Sequence, residues 1–279
     1  MTRITYLFAL CLITVYGQSQ NIGGTATYKT ATSLDLKIEG DQLSPEQKKM
    51  MEANIAKATQ KEYELDFNRN ESIYEEVVEL EKEGQHRGMR MLAMFTGGSG
   101  TYYKNLQEQR YTEQTEFLGK VFLIQDSLDN LEWTIGKETK SIGNYICQKA
   151  TAMRIREATQ LTGDPKNGLR DSTVIDTINI VAWFTMQIPI SHGPGRFYGL
   201  PGLILEVNDG NTTILCTKVS LNTKEPIEIK EPSDGEEVNA QEFQEMTARK
   251  LEEMQQNFGN GPGGRGGGHR GSFQVTIGR

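Results

Sequence analysis

The sequence predicts an α+β fold dominated by β structure: an antiparallel sheet covered by helices. Three observations carry that expectation. Short segments along most of the chain alternate apolar and polar residues, the period of a sheet strand with one wet face. Turn-forming pairs such as Asp209-Gly210 and Pro201-Gly202 punctuate them. Two segments, one near each end, carry helix caps followed by apolar residues at helical spacing.

Taken in order, residues 25–38 alternate loosely with Tyr28, Ala31, Leu34 and Leu36 apolar, which reads as a strand. Ser44-Pro45-Glu46-Gln47 then supplies an N-cap, a proline at the first helical position and a capping-box partner. Met50, Met51, Ile55 and Ala58 follow as the buried stripe of a helix. Residues 61–68 alternate Tyr63, Leu65 and Phe67 against charged neighbours, a half-buried strand. Residues 72–82 fit either a strand or a helix, and 84–100 read mostly as loop. Short strands follow at 102–106, 108–116 and 121–124.

The signal sharpens from Leu131. A turn at Gly136 leads to a long strand at 144–156, whose antiparallel partner is 178–186, across a loop at 163–168. The prolines and glycines of Ile188 to Gly195 exclude regular structure and ask for a fixed loop. Pro201-Gly202 reads as a type II corner with Gly202 at positive φ. Leu203 to Val207 and Thr212 to Val219 form a hairpin about Asp209-Gly210. Asn239 caps a second helix over 240–258, with Phe243, Met246, Leu251 and Met254 as its stripe.

The two ends read differently from the middle. Arg3, the apolar run from Ile4 to Val15 and small Gly17 resemble a secretory signal over residues 1–17. The run is shorter than the roughly 20 residues of a membrane span, so no transmembrane segment is expected once it is cleaved. Cys11 follows bulky Leu10 inside that run, which argues against a lipidated cysteine. Residues 18–258 are expected to form one β-rich domain, and the glycine-rich stretch 259–279 a flexible tail.

The full chain carries 30 basic and 37 acidic residues, a net charge of −7. That balance argues against a nucleic-acid partner, because phosphate binding draws on concentrated positive charge. Cys147 and Cys216 both fall in expected strands. An oxidising compartment would permit a disulfide between them, and two small buried apolar residues fit equally well.

Phe197 to Glu206, preceded by Ala182-Trp183-Phe184-Thr185 and Ile188 to Pro194, resembles the GLPGLI family of secreted bacterial proteins. Leu131 to Ile135, Glu138 to Tyr145 and Cys147 to Ala152 fit the same pattern, so the resemblance spans roughly residues 25–230. It implies export to the periplasm or outer envelope of a Gram-negative bacterium, or secretion. By analogy with lipoprotein carriers it also implies a curved, half-barrel-like sheet. The family has no established activity, so it implies no catalytic residue and no cofactor.

The chemistry-bearing residues agree. His86, His192 and His269 lie far apart and lack metal-ligand spacing. Ser191-His192 has no strand-to-helix elbow around it. Glu138 and Lys140 read as a surface ion pair. What remains is a binding or carrier protein for an apolar ligand or an envelope protein, with a structural surface component or a secreted hydrolase as alternatives. A ligand would be bordered by Trp183, His192, Phe197 and Tyr198 over a floor of Leu200 and Leu203, because a fixed loop at a sheet end is where binding side chains are held.

Overall fold

Among the described residues, fourteen strands hydrogen-bond into one sheet. The computed structural model describes residues 22–32, 37–39, 44, 46, 60–77, 100–164, 168–210, 212–221, 227–259 and 272–278. The strands are β1 (Gly24–Thr32), β2 (Lys37–Glu39), β3 (Lys61–Phe67), β4 (Glu71–Glu76), β5 (Thr101–Asn105), β6 (Arg110–Phe117) and β7 (Lys120–Ser127) in the first half. The second half holds β8 (Thr134–Ile142), β9 (Tyr145–Asp164), β10 (Gly168–Thr185), β11 (Leu203–Asn208), β12 (Thr212–Leu221), β13 (Glu236–Val238) and β14 (Ser272–Gly278).

Two meanders make up the sheet. β1, β3, β4, β5, β6 and β7 pair in sequence, as do β8 to β12, and the two meet where β1 lies antiparallel to β12. β13 adds to β7 in parallel, while β14 and then β2 extend the sheet beyond β9. The alternation of β3 is realised, with Leu65 and Phe67 fully buried. β11 is apolar on both sides because it is central: Leu203, Ile204, Leu205 and Val207 are all buried.

One helix, α1 (Ala240–Gly259), is present among the described residues. Its start follows the sequence: Glu242 N donates to Asn239 Oδ1 at 2.9 Å and Asn239 N donates to Glu242 Oε2 at 3.0 Å, a reciprocal capping box. Phe243 then packs edge-on against Phe117 and Phe122. The helix touches both β7 and β10. Eight strand spacings separate those two strands along the sheet, on the order of 40 Å if flat against about 30 Å for the helix, which fits a curled sheet.

The expected helix-covered α+β fold is corrected on this point. The protein is β-dominated with an open sheet, and the single described helix caps one end of it. Apart from Ser44 and Glu46, the helix expected from Ser44 lies outside the described residues. The sheet's own curl and the loop after β10 bury most of the core, which leaves little surface for helices to cover. Two further differences concern the extremities: β9 and β10 extend to Asp164 and from Gly168, beyond the expected 156 and 178, and the glycine-rich end carries strand β14 at 272–278.

Candidate functional site

The segment between β10 and β11 is the most tightly specified part of the molecule. Its backbone runs beside β11, with Leu203 N donating to Ile188 O at 2.9 Å and Ile204 N to His192 O at 3.0 Å. Gly199 N then folds back onto Ser191 O at 3.0 Å. The left-handed conformation falls on Gly199, at φ 92°, and not on Gly202. Gly202 is required for a different reason: a Cβ there would stand 2.1 Å from Thr185 O. The expected type II corner is therefore replaced by a close backbone crossing.

Lys104 on β5 holds the loop from the other side. Its Nζ donates to Gly193 O at 2.7 Å, Gly195 O at 2.5 Å and Phe197 O at 3.1 Å. The side chain is fully buried. Three protons meet three carbonyls, which satisfies the ammonium completely. Burial meanwhile pushes its pKa down to about 7. An amine near neutrality can serve as a nucleophile or base elsewhere, but every proton of this one is engaged and none of it reaches solvent, so its task is to anchor.

Around this anchor lies a patch of buried polar and aromatic groups. Ser72 is the cross-strand partner of Lys104, and Tyr74 that of Tyr102. Tyr74 stacks on Tyr63 at 4.7 Å and meets Tyr28 edge-on at 6.1 Å, while Tyr28 Oη donates to Ile204 O at 2.7 Å. Ser72 Oγ, Tyr74 Oη and both ring nitrogens of His192 have no hydrogen-bond partner among the described residues. Burial, followed by the charge of Lys104, holds the His192 pKa down to about 3. The backbone of Asn68 and Arg69 opposes that shift without reaching hydrogen-bond geometry.

The six expected site residues do not share one cluster: Leu203, with Trp183 against it, belongs to one core cluster, and Phe197 and Leu200 to another. His192, Phe197, Tyr198, Leu200 and Leu203 are buried. Tyr198 is tied at both ends: Trp133 Nε1 donates to its carbonyl at 2.8 Å, and its hydroxyl lies 2.9 Å from Asp129 O and 3.0 Å from Asn130 Oδ1. Trp183 is half-buried under the Lys140 ammonium, 4.4 Å from the ring centre. Lys140 pairs with Glu206 at 2.7 Å and Glu138 with Lys149 at 2.9 Å, so the expected Glu138–Lys140 pair is not formed. Glu138 instead reaches across to neighbouring β9, and Lys140 past β9 and β10 to β11.

Cys147 and Cys216 are free buried thiols, and burial raises both to about 11. β10 and β11 lie between their strands in the sheet.

A groove of about 580 Å³ opens elsewhere, walled among others by Arg110, Leu123, Gln125, Asp126, Glu231 and Glu237. Its charges are spent locally. Arg110 grips Glu231 with two nitrogens, and Thr112 Oγ1 donates to the same carboxylate at 2.5 Å. Arg110 holds the Glu231 carboxyl below its ordinary range. No group of three or more His, Cys, Asp or Glu side chains among the described residues converges to hold a metal ion. None of the described helices is long and apolar enough to cross a membrane.

The segment from β8 through β11 is also where a known pattern falls. A family model described as "Protein of unknown function (Porph_ging)" matches residues 133–206. That span begins at Trp133, ends at Glu206 and contains the whole anchored loop. It is narrower than the resemblance read over 25–230. No curated protein matches the chain. Two solved structures, "Structure of PNGF-II in C2 space group" and "Structure of PNGF-II in P21 space group", are similar at 13% and 14% identity with TM-scores of 0.46 and 0.45. The matches cover 82% and 81% of this chain but 33% of each of theirs, so the chain spans about a third of their length. A likeness at that level carries no argument about this protein.

Sequence reasoning missed Lys104. A lysine beside Tyr102 and Tyr103 breaks no pattern, and the carbonyls that receive it lie about ninety residues away.

Proposed function

We propose that this is an exported, GLPGLI-type protein that works by binding a protein partner and not by catalysis, through the outward side of the β9–β10 hairpin. The observation that carries the reading is the exposure of Met153 and Ile155, at 72% and 73%, on a strand whose opposite face buries Ala152. Four of the nine large apolar side chains exposed among the described residues lie on or just beyond this hairpin, the others being Ile146 and Met186. Exposed apolar side chains gathered on one element mark interaction surfaces more often than chance. A structural surface component would use the same face. A secreted hydrolase finds no support in the disposition of Lys104 or His192.

The test compares the wild-type chain with a Met153→Asp/Ile155→Asp variant, each purified from its native envelope, by quantitative mass spectrometry of co-purifying proteins and lipids. Proteins enriched with the wild type and lost from the variant support the reading. Equal enrichment with both would overturn it. Lipid that co-purifies and disappears in Tyr198→Ala would instead favour an acyl ligand held by Trp183, His192, Phe197, Tyr198, Leu200 and Leu203.

A further inference from the structure

Four elements meet at one rim of the anchored loop. Arg154 of β9 lies on the opposite side of that strand from Met153 and Ile155, its guanidinium 5.8 Å from the centre of the Phe197 ring. Its cross-strand partner Ile178 sits against the β11–β12 turn, where a Cβ on Gly210 would stand 3.7 Å from Ile178 Cγ2. From the segment before β8, Asp129 O and Asn130 Oδ1 hold the Tyr198 hydroxyl. Arg196, next in the chain to Phe197, is exposed and near enough to Arg154 for the two charges to oppose each other.

Both arginines are fixed in place. Lys104 takes the carbonyls of Gly195 and Phe197, the two residues that flank Arg196, so the backbone carrying it is pinned on either side. Arg154 is half-buried on a paired strand, with the Phe197 ring beneath its guanidinium. Neither guanidinium forms an ion pair or donates a hydrogen bond among the described residues. Asp129 and Asp209 lie close enough to offset part of the charge of Arg154 without pairing with it, and Asp209 Oδ1 already accepts from Thr212 N at 3.0 Å.

We propose that Arg154 and Arg196 jointly grip an oxyanion, the carboxylate or phosphate ester group of a ligand that no residue of the chain supplies. A planar guanidinium presents paired N–H donors that match two oxygens of either group. Two like charges held together by the fold repel each other, and a shared anion removes that repulsion. Because the side chain of Arg154 and the backbone of Arg196 are already held, little freedom is lost when the anion arrives. Two aspartates stand against the two arginines, so long-range attraction nearly cancels and recognition depends on direct contact. A spherical anion such as chloride would gain little there. The site does not depend on the exposed hairpin face, which lies on the other side of β9.

The probes are inorganic phosphate and acetate, each titrated into the full chain isotope-labelled at arginine, with sodium chloride at matched ionic strength as the reference. NMR follows the Nε–Hε signals of Arg154 and Arg196, assigned from the Arg154→Gln and Arg196→Gln variants. Both signals are expected to shift together and to saturate with phosphate, acetate or both, and to stay still in chloride. The tighter probe tells a phosphate ligand from a carboxylate one. In Arg196→Gln the Arg154 signal should need about tenfold more anion to move as far. Arg196 is exposed, so this variant keeps the fold even where Arg154→Gln does not. Shifts that chloride reproduces, that rise without saturating, or that have different midpoints at the two arginines overturn the proposal. An Arg154 titration unchanged in Arg196→Gln overturns it as well.

Discussion

The ammonium of Lys104 donates to the carbonyl of Gly193 at 2.7 Å, joining β5 to a loop 89 residues further along the chain. Its other two protons go to Gly195 O and Phe197 O. Lys104→Met keeps much of the volume and strands three buried carbonyls. A loss of about 3–5 kcal/mol is expected, measured by urea unfolding. A loss below about 1 kcal/mol would mean the loop stands without this anchor.

His192 gives the stability a definite pH dependence. Its folded pKa is near 3 against an ordinary 6.5. Between those values the unfolded chain binds a proton that the folded chain refuses, so stability falls as pH falls through that window. Lowering the pH from 6.5 to about 4.5 should cost the wild type about 2 kcal/mol more than a His192→Leu variant. Parallel pH profiles of the two would remove the argument.

Two glycines of the loop should respond differently to the same change. Gly199→Ala places a side chain at φ 92° with Trp133 no closer than 3.7 Å, a conformational cost of about 1 kcal/mol. Gly202→Ala drives a methyl into the Thr185 backbone, which cannot yield without displacing β10. It should cost at least about 3 kcal/mol or prevent folding. Thermal unfolding of the pair distinguishes strain from collision.

The buried thiols should be silent until the chain unfolds. In a Cys11→Ser background at neutral pH, Cys147 and Cys216 are expected to ignore a thiol reagent in the native protein and to give two equivalents in denaturant. Zero equivalents after denaturation would mean the two are joined.

Local patterns made much of the sheet legible in advance. The alternation around Leu65, the Asp209-Gly210 turn and the Asn239 cap each depend on residues a few positions apart, and each appears where expected. The site was legible only as a stretch. Ile188 to Leu203 announces a rigid loop through its prolines and glycines, but what makes it rigid is Lys104, Tyr28 and Trp133, which the sequence places far away. The sequence marks Gly202 as conformationally special, yet it is sterically special, because the Thr185 carbonyl that presses on it is apparent only in three dimensions. The expected helical cover failed for a related reason: amphipathic pattern reports that a face is buried, not what buries it.

The seam between the two meanders has a kinetic consequence. Every strand within a meander pairs with its sequence neighbour, yet β1 must wait for β12, and the bond from Thr217 Oγ1 to Thr27 O spans 190 residues. Contacts of such sequence separation form late, because the chain entropy lost in closing them is recovered only on completion. Each meander can assemble as it emerges from the ribosome, while the free sides of β1 and β12 stay open until both exist. The slow step of folding should be the meeting of those two strands, and the interval before it is when the chain most needs shielding from aggregation.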